Sequence, residues 1–163
     1  MISYKKHWQS FFIILILTIF TSCSEFKITK PEGFAEIKEK GSYRTRGSSE
    51  LYRAVSPEGM ILKIRKEKNY PPMELEFWAK TLQNHLIKEG YILISEQGSF
   101  ETETNKGMFF EWGLPYGNED YIYLTALLVF DKEIIIGETA ALQSIYKNYR
   151  SSIIESLKSI IFK

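Results

Sequence analysis

The chain has 163 residues, 44% of them apolar and 15% aromatic, with 21 Lys and Arg against 20 Asp and Glu for a formal net charge of +1. The apolar and aromatic content excludes a disordered chain, and the near-neutral balance excludes nucleic-acid binding by bulk charge. A lone cysteine, Cys23, excludes an intramolecular disulfide.

The chain starts with Lys5 and Lys6 and then the apolar run Phe11 to Phe20, followed by Thr21-Ser22-Cys23-Ser24. A run of about 10 residues fits the apolar core of an export signal, about 7–15 residues, and is half of the roughly 20 needed to span a bilayer. A lone cysteine just beyond such a core, after two small residues, resembles the lipobox of bacterial lipoproteins, with Phe20 where the usual pattern has Leu. In that family the signal is cut before the cysteine, which then carries acyl chains. Each buried CH₂ contributes about 0.8 kcal/mol, so several chains hold a protein firmly at the bilayer. By the same resemblance, Ser24 in place of Asp favours the outer over the inner membrane. The competing expectation is an uncleaved signal anchor with an unmodified cysteine.

The expected organisation is therefore a signal over 1–22, a lipidated tether over 23–25 and one domain over 26–163. Removing the signal leaves 141 residues, enough for one core. Charge is unevenly spread: nine Lys and Arg against four Glu between Lys38 and Lys68, then six acidic residues against Lys106 between Glu96 and Asp120. Either segment sum is expected to dissolve into a mixed, solvated surface unless the fold gathers it.

Phe26 to Thr29 alternates apolar and polar and ends at Pro31-Glu32-Gly33, which predicts a short strand and turn. With so little chain between this strand and Cys23, the domain is expected to sit close against the membrane. An irregular strand is expected near Ser42 to Thr45. Leu51 to Val55 and Met60 to Glu67 predict a hairpin around Pro57-Glu58-Gly59, with Met60, Leu62 and Ile64 facing a core. After Asn69-Tyr70-Pro71-Pro72, the stripe Leu75, Trp78, Ala79, Leu82 and Leu86 predicts a helix over 73–89. Tyr91 to Thr104 reads as a strand with a bulge at Gly98, turning at Asn105-Lys106-Gly107. Met108 to Leu114, Tyr121 to Phe130 and Glu133 to Ala140 read as strands, the last two apolar on both faces as central strands are. Leu142 to Phe162 reads as a closing helix with Arg150 on its wet side. The fold class is α+β, a mainly antiparallel sheet with one helix on each face.

Several stretches resemble the Mog1/PsbP-like superfamily, which includes lipoproteins of the DcrB kind. They are Phe26-x-Ile-x-x-Pro-x-Gly-Phe34, the hairpin sequence at 56–62, Tyr-Leu-Thr-Ala-Leu at 123–127, Ile-Gly-Glu-Thr-Ala-Ala at 136–141 and Leu-Lys-Ser-Ile at 157–160. The resemblance implies an α/β/α sandwich and a function in binding other proteins without catalysis. It supplies no catalytic residues.

The residues offer little to catalysis. His85 is the only histidine beyond the signal, and with Glu89 it makes an i,i+4 pair, short of the four ligands a structural metal wants. No nucleophile elbow, zinc-protease motif or phosphate loop occurs, so no cofactor, metal or catalytic residue is expected. Asp120 and Asp131 fall at turns. Glu111 and Glu138 each interrupt an apolar strand; a buried carboxylate pair with raised pKa is weighed against two wet-face glutamates, and the latter is preferred. The aromatics Tyr70, Tyr116, Tyr121 and Tyr123 are the candidate partner-binding residues, and Trp112 is expected to pack under a helix.

The leading functional expectation is a non-catalytic envelope lipoprotein, attached to the membrane through Cys23 and binding an envelope protein. The alternative is a carrier of an apolar ligand or lipid in a cavity of about 300 Å³ or more between helix and sheet. A hydrolase of unusual design stands third, requiring His85 within hydrogen-bonding distance of a Ser, Glu or Asp.

Overall fold

A computed structural model describes residues 25–38, 49–117 and 119–163; Cys23, the export segment and the strand expected near Ser42 lie outside the described residues. The period of two in Met60, Leu62 and Ile64 builds a hairpin from β3 (Glu50–Val55) and β4 (Ile61–Lys68), with Ala54 opposite Leu62. Gly59 adopts φ +84° in its turn, where its N–H donates to the Ser56 carbonyl at 3.0 Å. A side chain there would strain the backbone.

The other strands are β1 (Phe26–Lys27), β2 (Ala35–Glu36), β5 (Ile92–Leu93), β6 (Gly98–Glu101), β7 (Lys106–Tyr116), β8 (Glu119–Val129), β9 (Glu133–Leu142) and β10 (Ile161–Phe162). The main sheet runs β2-β3-β4-β9-β8-β7-β5, antiparallel throughout, with β6 also pairing β7. Helix α1 (Leu75–Lys88) covers one face and α2 (Gln143–Lys158) the other. The expected α+β sandwich holds.

Helix α1 buries the expected stripe, and α2 buries one face of its own. Ala79 and Leu86 of α1 pack on Phe110, Trp112, Leu127 and Ile134, flanked by Trp78 and Leu82. Ile153 and Leu157 of α2 pack on Leu62, Ile64, Leu124, Leu128 and Ile135. Strand β8 is buried from Leu124 to Leu128, as a strand covered on both faces requires.

Three expectations are corrected. The closing helix stops at Lys158, and Phe162 returns as strand β10 to pair with Phe26 in a separate two-stranded ribbon. Its ring packs edge-on to Phe130 at 5.0 Å, so burial of Phe162 outweighs the last helical turn. Gly98 is no bulge, because it pairs in continuous register with Phe109 while Gly107 pairs with Phe100. A Cβ at either glycine would lie within 2.3 Å of the facing phenylalanine, so each glycine makes room for a ring across the ladder. The β6–β7 turn also closes earlier than expected. The Thr102 N–H donates to the Asn105 carbonyl at 2.8 Å, leaving Lys106 and Gly107 in β7.

Asn69, read from sequence only as part of a strand break, is a buried junction. Its Nδ2 donates to the carbonyls of Met73, Phe130 and Asp131 at 3.2, 3.1 and 3.3 Å. Its Oδ1 accepts from the Met73 N–H at 3.0 Å and from Trp78 Nε1 at 2.8 Å. It thereby pins the start of α1 to the β8–β9 turn. Asn69→Ala leaves these groups unpaired, and we expect a loss of about 2–4 kcal/mol in chemical denaturation. An unchanged midpoint would show that the junction is held by other contacts.

Candidate functional site

The sheet's two faces differ in how far they are covered. On the α2 face, the helix is joined by the β1–β10 ribbon and by Phe34, whose ring stands edge-on to Tyr149 at 5.2 Å. On the opposite face α1 lies over β7, β8 and the first half of β9, where Trp112 is fully buried and donates to Thr125 Oγ1 at 3.0 Å. Beyond it, no helix among the described residues covers the outward side chains of β3, β4 and the second half of β9.

That open half is floored by charge. Arg65 Nε donates to Glu138 Oε2 at 3.0 Å and Arg65 Nη1 to Glu67 Oε1 at 2.6 Å. Tyr123 donates its hydroxyl to Glu138 Oε1 at 3.0 Å, and its ring lies 5.5 Å from that of Tyr91. Arg53 bonds Glu50 at 2.6 Å, with Lys63 at 4.0 Å from the same carboxylate. Burial first, then the Glu138 carboxylate, pushes the Tyr123 hydroxyl well above the usual tyrosine range, so it stays a donor. At the margin Ile61 is 44% exposed, beside the exposed Ala140 with which it pairs. The arrangement offers donors, acceptors and a small apolar edge to a flat partner. Paired with Glu50, Glu67 and Glu138, the basic residues Arg53, Lys63 and Arg65 form no single-sign field here.

Glu111 and Glu138 do not form a pair. Glu138 is half-buried on the α1 side, whereas Glu111 is buried on the α2 side, against the expectation of a wet-face residue. The Glu111 carboxylate accepts from Arg150 Nε at 2.7 Å and Nη2 at 3.0 Å, from Ser95 Oγ at 3.2 Å and from the Tyr146 hydroxyl. Burial pushes this carboxyl up. The hydrogen bonds from Arg150, Tyr146 and Ser95, with the charge of Arg150, outweigh it and hold the group below the ordinary value of 4.5, the reverse of the raised pKa weighed from sequence. Tyr146 and Arg150 are one helical turn apart, a spacing that marks a shared face. Nothing in it names the strand they meet.

The candidate tyrosines separate. Tyr70 is 82% exposed in the loop before α1, beside the β8–β9 turn. Tyr121 and Tyr123 lie on β8 and face the α1 side of the sheet. Tyr116 pairs with Glu119 at the opposite end of the sheet from Tyr70; its side chain lies outside the described residues, as does Cys23. His85 is exposed on α1, and neither Glu89 nor any hydroxyl bonds its ring among the described residues. No group of three or more His, Cys, Asp or Glu placed to hold a metal occurs among the described residues, and no helix there is long and apolar enough to cross a membrane. Sequence reasoning missed Arg65, Tyr146 and Asn69, and read Arg150 as merely solvated.

The sequence matches no protein-family profile and no curated protein. Solved structures do resemble it. The crystal structure of LpqN, a protein involved in cell envelope biogenesis of Mycobacterium tuberculosis, superposes with a TM-score of 0.63 at 10% identity, over 86% of this chain and 84% of its own. The solution structure of cyanobacterial PsbP from Synechocystis superposes with a TM-score of 0.57 at 7% identity, over 85% of this chain and 86% of its own. The domain has the Mog1/PsbP-like fold. Within that fold, the Glu111 clamp and the open half-face are built from this chain's own side chains.

Because Glu111 is held ionised, its contribution to stability is present above the unfolded-state pKa near 4.5 and is lost as pH falls through the lower folded value. Glu111→Gln is expected to cost about 2–3 kcal/mol at pH 7, less than a fully buried pair because Arg150 is half-exposed. The gap between wild type and variant should close on acidification below pH 4.5. A gap independent of pH in denaturant titrations would show that shape alone, and not charge, matters there.

Proposed function

We propose that the protein is a bacterial envelope lipoprotein, held at the membrane through acylated Cys23, whose Mog1/PsbP-like domain binds another protein without catalysis. The observation that carries this reading is the apolar segment leading to Cys23, only two residues before Glu25, whose backbone pairs with Lys163. Acyl chains on Cys23 then make attachment durable, since several buried chains together resist release. Ser24 favours the outer membrane by resemblance to sorted lipoproteins. That LpqN, of the same fold, is involved in cell envelope biogenesis supports the compartment.

The open half-face supports partner binding. Its half-buried Arg53, Lys63 and Arg65 sit among Glu50, Glu67 and Glu138, and Tyr123 and Ile61 supply apolar area beside them. Mixed polar and aromatic surfaces of this kind suit a protein partner, with aromatic and arginine side chains as the anchors.

Two measurements test the proposal. Intact mass of the membrane-extracted protein is expected to show a chain beginning at Cys23 with added acyl groups, and Cys23→Ala is expected to lose both the cleavage and the added mass; an unmodified full-length mass would refute the anchor. A photo-crosslinker placed at Ile61 in living envelopes is expected to trap a discrete species that one placed at the exposed Asn84 of α1 does not. Equal trapping at both positions would remove the open face from the binding role.

A further inference from the structure

The domain has two ends, and the tether leaves from one of them. Glu25 exchanges backbone hydrogen bonds with Lys163, its N–H to the Lys163 carbonyl and the reverse, both at 3.1 Å. The preceding residue, Phe162, packs on Phe130 beside the β8–β9 turn, and Lys66 lies 6.0 Å above its ring. Two residues of chain reach at most about 7 Å, so covalent geometry alone keeps Cys23 near this end of the sheet.

The same end carries an exposed apolar loop. Asn69 holds it there through its N–H to the Lys132 carbonyl at 2.9 Å and its side-chain bonds to Phe130, Asp131 and Met73. In and beside that loop Tyr70 is 82% exposed, Phe77 45% and Met73 39%, with Pro71 and Pro72 exposed between them. The charges at this end are mixed: Lys68, Lys132 and Lys163 stand with Glu74, Glu103 and Asp131. The far end, at the β7–β8 turn, is about 33 Å away along β8, at 3.3 Å per residue.

We propose that this end of the domain rests in the headgroup layer of the bilayer, with Tyr70 and Met73 as its inserted side chains. The inference rests on the lipoprotein reading, since the acylated tether is what holds the end at the surface. Once it is held there, exposed apolar side chains gain by leaving water, and a tyrosine suits the boundary because its ring is apolar and its hydroxyl polar. Mixed charge makes the contact independent of anionic lipid. The orientation also turns the β7–β8 end away from the membrane and leaves the open face of β3, β4 and β9 lateral to it.

The test uses the full chain extracted from membranes and placed in nanodiscs of phosphatidylcholine with or without a quarter of phosphatidylglycerol. With Cys23 acylated, Tyr70→Cys or Glu119→Cys supplies the single free thiol for a nitroxide, and intact mass of each sample reports the state of Cys23. Tyr70 is 82% exposed and Glu119 is exposed, so neither change touches the core. The ratio of oxygen to nickel-chelate collision rates is expected to be at least about threefold higher at position 70 than at 119, as for a side chain a few ångströms into the headgroup layer. It should be the same in both lipid mixtures. Equal ratios with Cys23 acylated overturn the orientation and leave the lipoprotein reading standing. A label at 119 deeper than one at 70 inverts the orientation and overturns it too, and an unacylated Cys23 overturns both readings.

Discussion

Burial of β8 on both faces is the constraint on which the rest of the structure depends. From Leu124 to Leu128 every residue is buried, alternate ones pointing toward α2 and toward α1. A strand apolar on both sides needs a layer on each, and an antiparallel meander of β7, β8 and β9 can supply neighbours but not covers. The helices are those covers. A helix is about 10 Å across while strands lie about 4.8 Å apart, so each helix shields only two or three strands of the main sheet. On the α2 side the β1–β10 ribbon and Phe34 extend the cover. On the α1 side nothing comparable occurs among the described residues, and the outer strands there carry charge where the inner ones carry Phe110 and Trp112.

The two glutamates show how one sequence feature takes opposite roles on opposite faces. Glu111 lies under α2, where Arg150, Tyr146 and Ser95 surround it and a bidentate arginine compensates the cost of burying charge. It ties the closing helix to the strand that also carries Trp112. Glu138 lies half-buried on the partly open face, where Arg65 and Tyr123 share it. The first is a fastener of the core; the second belongs to a surface that can meet another molecule. The domain thus has one face closed by α2, the β1–β10 ribbon and Phe34, and one face only half covered by α1.

Much of this was legible in the chain. Period-two alternation located the β3–β4 hairpin, and the doubly apolar runs located β8 and β9 at the sheet's centre. The stripe from Leu75 to Leu86 located α1 and its buried side. Other features were not legible for specific reasons. Phe162 carries on the helical period of α2, and only the position of Phe130 decides that it pairs as a strand instead. Gly98 reads as a bulge until Phe109 is seen to lie across it. Glu111 looks like a wet-face residue because its partner Arg150 is 39 positions away, on an element whose rotation no local pattern specifies.

The sequence by itself determined the class of the domain and the buried face of α1, since each depends on periodicity among residues close together in the chain. The tertiary structure alone decided which glutamate is buried, which tyrosines share a face, and that Glu25, through Lys163 and Phe162, lies at the β8–β9 end of the sheet with Tyr70. Those outcomes depend on strand register and on helix docking, which join residues far apart in the chain. Local propensity carries no information about such distances, because their energies appear only once the layers have packed.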